Sequence, residues 1–204
     1  MLNYIEKGGI VMIPILACSL ISLTIVLERL YVLLRARRSG HRLWAVIEDL
    51  LRGGKWEEAL TFSQSQRNAG PLHRVIARSF VNRDMAPEKR KEELLITGAK
   101  EMKGLEKHLW FLSLIADIAP LLGLLGTVTG MVKAFMKIEE FGGRVDASLL
   151  AGGIWEALIT TVAGLSVAIP TMVAYHYLER MVSEFSDFLR EVMTRTGVMV
   201  EGKD

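Results

Sequence analysis

Three runs of this chain are long, apolar and free of charge, and they constrain its fold more than any other feature. Gly8 to Leu27 holds no charged residue and is bounded by Lys7 and by Glu28 and Arg29. A helix rises ~1.5 Å per residue, so roughly 20 residues cover the ~30 Å of a bilayer's hydrocarbon core. Ile118 to Val132 and Ala157 to Leu178 are charge-free in the same way. The chain is 50% hydrophobic with a mean hydropathy of +0.29, and gathering that content into three runs points to a membrane protein, because a soluble core would spread it along the sequence. The net charge of +2, without interleaved aromatic and basic residues, gives no reason to invoke nucleic acid. The first run lacks a basic leader and a small-residue cleavage site, which argues against a signal peptide. The single cysteine, Cys18, makes neither an internal disulfide nor a zinc site.

The expected fold is an all-α membrane protein with three transmembrane helices, the second and third extended into a cytoplasmic helical domain. Arg35, Arg37, Arg38 and Arg42 follow the first run, and a basic flank of this kind stays in the cytoplasm, which puts the N-terminus outside. The segments are then residues 1–7 as an external N-terminus, 8–34 as the first transmembrane helix and 35–108 as the cytoplasmic helical domain. Residues 109–137 form the second transmembrane helix, 138–153 an external loop, 154–178 the third transmembrane helix, and 179–204 a cytoplasmic amphipathic helix and tail. Within the cytoplasmic domain, spacing predicts helices at His41–Leu51, Trp56–Gln66 and Leu72–Val81. Loops fall at Gly53–Gly54, Asn68–Pro71 and Asn82–Pro87. No proline occurs between Pro87 and Pro120, so one long helix is expected from about Pro87 to Met136. Beyond Leu178, apolar residues repeat every three or four positions to Val192 and Met193, which extends the third helix to about Thr196 and leaves a frayed tail.

No phosphate loop, His/Cys cluster or nucleophile elbow is present, so neither catalytic residues nor a metal or cofactor are expected. Ser166 and His176 share a helix but are ten residues apart, about 15 Å along its axis, too far to pair. The chemistry lies in two stripes. Ala116, Ala119, Gly123, Thr127, Gly130 and Ala134 recur at three or four residues on the second membrane helix, and Ala157, Thr161, Gly164, Ala168 and Thr171 on the third. Small residues permit close helix approach in lipid, so Gly123, Gly126, Gly130, Ala157, Gly164 and Ala168 are expected to pack helices. Thr127 and Thr161 lie mid-span, where hydroxyls either bond across a helix contact or line a path for protons. A hydroxyl can relay or solvate a proton but cannot store its charge. The stripes carry no acid at that depth, so a proton path needs a carboxylate from another chain.

Glu156, four residues before Thr160, is either a first-turn acid suited to the helix dipole or a cation guide at an outer vestibule. Thr160 is a secondary candidate. So is Asp117, an ionisable residue inside a span, which alternatively serves backbone groups freed by Pro120. Lys133 and Lys137 are expected to snorkel, and His108 and His176 to be interfacial.

The segments Ala119–Met131 (APLLGLLGTVTGM) and Glu156–Leu165 (EALITTVAGL) closely resemble the ExbB/TolQ/MotA family of proton-channel proteins. The three-span layout resembles ExbB and TolQ more than four-span MotA. The resemblance implies a bacterial inner-membrane subunit with a periplasmic N-terminus and a cytoplasmic C-terminus, assembled as a homopentamer. It implies a proton-driven motor whose ring encloses an ExbD/TolR-like single-span partner with a membrane Asp, acting on the envelope through a TonB/TolA-like transducer. By motif position, Thr127 and Thr161 match the family's pore threonines and Glu156 the acid heading its third helix, while Asp117 is outside the pattern. A helical scaffold and an autonomous ion channel are the competing functions.

Overall fold

The computed structural model describes residues 9–65, 70–81, 85–140 and 147–201, and among these the chain forms six helices and no strand. They are α1 (Met12–Arg52), α2 (Trp56–Ser65), α3 (Pro71–Val81), α4 (Pro87–Glu106), α5 (Leu109–Glu140) and α6 (Ala147–Glu201). Three stretches are long and apolar enough to cross a membrane: one in α1, one in α5 and one in α6. The chain divides into two compact units. The first comprises Met1–Leu27 and His108–Tyr177, the second Glu28–Lys107 and Leu178–Asp204. His108 and His176 lie at these boundaries, and His176 is exposed.

The second unit is a helical bundle with a core of Leu33, Leu43, Ile47, Leu72, Ile76, Phe185 and Leu189, all nearly inaccessible. Its α1 and α6 portions run parallel in constant register. Arg37 pairs with Glu184 at 3.2 Å and Arg195 with Glu48 at 3.1 Å, each pair 147 positions apart, and the His41 and Phe188 rings meet between them at 4.2 Å. α3 and α4 form an antiparallel hairpin tied by Arg74–Glu101 (2.6 Å) and Arg78–Glu93 (3.5 Å). Buried Arg29 pairs with Glu28 and donates to the Gly104 carbonyl at 3.3 Å. That carbonyl lies in the last turn of α4, where helical partners run out.

Four expectations are corrected. The helix expected to begin at His41 is continuous with the first apolar run, because Gly40 is not a breaker here. A Cβ on Gly40 would lie 3.2 Å from Phe185 and 3.5 Å from Phe188, so the glycine serves close packing against α6. The single helix from Pro87 to Met136 is instead two, α4 and α5. Lys107 is extended (φ −51°, ψ 135°) and His108 takes φ 69°, a left-handed conformation that interrupts the hydrogen-bond ladder without a proline. Gly152 and Gly153, expected in a loop, are helical within α6, and Gly153 packs on Ala134. α6 also runs beyond Thr196 to Glu201. Gly142 and Gly143, the Asn68–Ala69 loop, residues 82–84 of the Asn82–Pro87 turn and residues 202–204 lie outside the described residues.

Candidate functional site

The membrane-spanning parts of α5 and α6 meet as an antiparallel pair along a seam of small residues within the first unit. On α5 the buried positions include Ala116, Ala119, Gly123, Gly126, Gly130 and Ala134. Opposite them, Ala157, Thr160, Gly164, Ala168 and Thr171 are buried on α6. The approach is at backbone level. A Cβ on Gly164 would fall 2.5 Å from the Ala119 carbonyl oxygen and 3.1 Å from Gly123 Cα. One on Gly123 would fall 3.0 Å from Thr161 Cα, one on Gly130 3.1 Å from Ala157 Cβ, and one on Gly153 2.5 Å from Ala134 Cβ. Lipid tails are as apolar as leucine, so this pair is held by close packing and hydrogen bonds, with little hydrophobic drive between the helices.

The seam differs from the stripes read in the sequence by one residue on each helix. Gly126, expected to pack helices, faces α6 in place of its stripe neighbour Thr127, and Thr160 is the buried threonine against α5 while Thr161 reaches Gly123 from the edge of the seam. Both choices fit helical spacing, since three and four residues each return to nearly the same face. Thr160 is 1% exposed and seated in the notch of Gly126, where any Cβ would collide with its side chain. Its hydroxyl donates to the Ala157 carbonyl of its own helix at 2.7 Å. Thr127 and Thr161 are half-buried beside the seam. Thr161 Oγ1 donates across the pair to the Gly123 carbonyl at 3.0 Å, and Thr127 Oγ1 donates to Leu124 O at 2.6 Å. Thr129, also half-buried, reaches the carbonyls of Leu125 (2.9 Å) and Gly126 (3.1 Å). A hydroxyl whose proton is committed to a carbonyl presents its remaining lone pairs as acceptors.

The acids lie away from this middle. Glu156 is not in the first turn of its helix, because α6 begins at Ala147, so the dipole account of its position falls away. It forms an ion pair with Lys133 of α5 at 2.7 Å. Lys133 therefore does more than snorkel, a role that needed the hairpin register to be found. A Cβ on Gly9 (φ 66°) would overlap the same carboxylate, so the chain just before α1 passes beside this ion pair. Asp117 is exposed and makes no hydrogen bond to a described residue, so it does not serve backbone groups near Pro120. It shares the outward side of α5 with Ile118 and Leu121. Among the described residues no group of acidic, histidine or cysteine side chains could hold a metal ion.

A profile of the MotA/TolQ/ExbB proton channel family matches residues 67–191, a stretch that contains α3 to α5 and most of α6. The chain belongs to that family. The ExbB-like 1 protein of Synechocystis is 32% identical over 199 residues, covering 94% of this chain and 76% of its own length. Biopolymer transport protein exbB1 of Vibrio cholerae is 26% identical over 97% of this chain and 87% of its own length. The Tol-Pal system protein TolQ of Haemophilus influenzae is 36% identical over 99 residues, 47% of this chain and 43% of its own. This ExbB/TolQ-type chain is thus a multi-pass membrane protein of a proton-channel family, and the α5–α6 seam lies within the matched region.

Proposed function

We propose that this chain is the proton-channel (stator) subunit of a bacterial inner-membrane motor that turns proton motive force into mechanical work on the cell envelope. It acts as a homopentamer around an ExbD/TolR-like single-span partner, with a TonB/TolA-like transducer carrying the work outward. The N-terminus is periplasmic and the C-terminus cytoplasmic, in keeping with the arginines after the first apolar run.

The observation that carries this reading is the division of labour on α5 and α6. Glycine and alanine seal the pair, leaving Thr127 and Thr161 half-buried at its flank with their protons already given to carbonyls. Such hydroxyls accept a hydrogen bond, so they favour a protonated carboxylic acid beside them over a bare carboxylate. No acid of this chain lies between them on the two helices, so the partner's membrane Asp is the proton carrier, and Glu156, held by Lys133, stands at one end of the path. Exposed apolar side chains such as Leu121, Leu124 and Val128 on α5 and Leu158, Val162 and Ile169 on α6 require lipid or neighbouring subunits to cover them.

The test is reconstitution into vesicles with a pH gradient. The chain with its single-span partner conducts protons, the chain alone does not, and Thr161→Val in the complex abolishes flux while assembly persists. Strong conductance by the chain alone would replace this reading with an autonomous channel. Undiminished flux and envelope function in Thr161→Val would reduce the threonines to scaffold packing.

A further inference from the structure

The second unit contains a feature that proton conduction leaves unused: a cavity of about 610 Å³ between α1 and the α2–α3 segment, lined by Tyr31, Arg35, Arg38, Arg42, Phe62 and His73 among others. Tyr31, Arg35, Arg38 and Arg42 recur at four, three and four residues, which sets them on one face of α1. Arg38 and Arg42 have no acidic partner among the described residues, and Arg35 reaches only the Tyr31 hydroxyl at 3.5 Å. A basic flank that merely fixed topology would not need this arrangement. Arg37, from the same run, is on another face and is neutralised by Glu184.

His73 gives the second, independent observation. It lines the cavity, is 2% exposed, and its Nδ1 has no hydrogen-bond partner among the described residues. Burial and the neighbouring Arg74 hold the ring below its usual pKa, so it is neutral with one N–H to donate. A buried polar nitrogen left unpaired is costly unless something fills the place. His73 also sits in the first turn of α3, whose N-terminal end adjoins the cavity wall: Gly70, just before Pro71, lies beside Ser39. Free backbone N–H groups and the positive end of the helix dipole favour an anion there.

We infer that this cavity binds a phosphate-bearing anion, with Arg38 and Arg42 as forked donors and His73 as the donor at its base. Planar guanidinium forks match phosphate oxygens two at a time. The cavity exceeds what a bare phosphate fills, and Leu34, Leu43, Val46 and Phe62 give it an apolar wall for a substituent on the phosphate. That chemistry belongs to an anionic lipid headgroup or to a soluble phosphate ester. The first source is favoured by sequence position, since Arg35 comes eight residues after Leu27, the end of the first apolar run.

The experiment uses the full chain, purified in a non-ionic detergent at low salt. Dihexanoyl phosphatidylglycerol, dihexanoyl phosphatidylcholine, glycerol phosphate and inorganic phosphate are each titrated, with retention read by native mass spectrometry and affinity by thermal shift. The wild type retains phosphatidylglycerol in preference to phosphatidylcholine. Arg38→Gln and Arg42→Gln each weaken it about tenfold, the loss of one charged hydrogen-bond pair. His73→Asn weakens it severalfold. Because neither arginine has an acidic partner among the described residues, the unliganded variants keep the wild-type melting temperature and helicity, which separates lost binding from lost folding. Tight binding of glycerol phosphate or inorganic phosphate without the lipid, lost in the same variants, supports the site and assigns it a soluble ligand. Equal retention of phosphatidylcholine, binding unchanged in both Arg38→Gln and Arg42→Gln, or no binding of any phosphate probe overturns the inference.

Discussion

The closeness of α5 and α6 can be tested at Gly164. A Cβ there would stand 2.5 Å from Ala119 O, 3.1 Å from Gly123 Cα and 3.2 Å from Gly123 N. All three are backbone atoms, so no side chain can rotate out of the way. To regain ordinary contact the helices must part by about 0.9 Å at that point, which forfeits a quarter to a half of the local dispersion energy. The Thr161–Gly123 hydrogen bond, one turn away at 3.0 Å, would stretch beyond bonding distance. Overpacking costs about 1–3 kcal/mol and the lost interhelical bond about 0.6 kcal/mol, against a gain of about 1 kcal/mol from replacing a helical glycine by alanine. The net is a loss of about 0.6–2.6 kcal/mol, or a melting temperature lower by roughly 1–10 °C for a chain of this size. Gly152 is the control: it lies in the same helix with nothing within 4 Å of its Cβ position, so Gly152→Ala keeps the propensity gain without the clash. Thermal unfolding of the two variants in detergent, followed by circular dichroism, decides the matter. A Gly164→Ala protein that melts at or above wild type would refute the seam.

Other outcomes follow from the same geometry. Thr160→Val replaces a hydroxyl bonded within its own helix by a methyl that fills the same notch, so stability changes by under about 1 kcal/mol and proton flux persists. Thr161→Val costs about as little in stability, through one interhelical bond, yet removes flux; equal flux defects at both positions would abolish the distinction between seam and flank. For Lys133 and Glu156, the four proteins of a Lys133→Gln, Glu156→Gln double-mutant cycle give a coupling energy below about 1 kcal/mol, since the lysine is largely solvent-exposed in the chain, and a larger value would mean the assembly buries the pair. His73 makes stability depend on pH. Its folded pKa is lowered from 6.5, chiefly by burial and then by Arg74, so below that value the unfolded chain takes up a proton that the folded chain refuses. Stability is therefore intact above about pH 6.5 and declines as pH falls toward the lowered pKa, a decline that denaturant titrations of His73→Asn should lack.

Apolar runs reveal membrane helices because the bilayer sets their length and forbids charge, and here all three were legible. Helix joints were harder. Gly40 and His108 carry opposite lessons, a glycine that continues a helix and a non-glycine that ends one. The first depends on the rings of Phe185 and Phe188, more than 140 residues away in sequence. No local pattern carries that information. The stripes were legible to within one residue, because a helix of 3.6 residues per turn leaves the choice between Gly126 and Thr127, or Thr160 and Thr161, to the partner's surface. The Lys133–Glu156 pair needed the register of the hairpin, which neither helix encodes alone. The arginines after the first run were read as a topological signal. Only the fold separates Arg37, which has a partner, from Arg38 and Arg42, which face a cavity.

The one-residue shift from stripe to seam bears on where a proton can pass. Had Thr127 and Thr161 occupied the seam, their hydroxyls would be enclosed between two helices that approach at backbone contact, with no space for water or a carrier. The seam instead holds Thr160, and its hydroxyl is sealed under Gly126. A path along the α5–α6 pair therefore cannot run between the helices; on the proposed reading it runs over their flank, past Thr161 and Thr127. A flank is only half a channel, and the other half must be another surface. That requirement ties conduction to assembly. It also predicts that widening the seam, as in Gly164→Ala, harms flux by displacing Thr161 from Gly123 and opens no new route between the helices. Proton flux in the reconstituted Gly164→Ala complex should fall; a rise would mean that the path lies inside the pair.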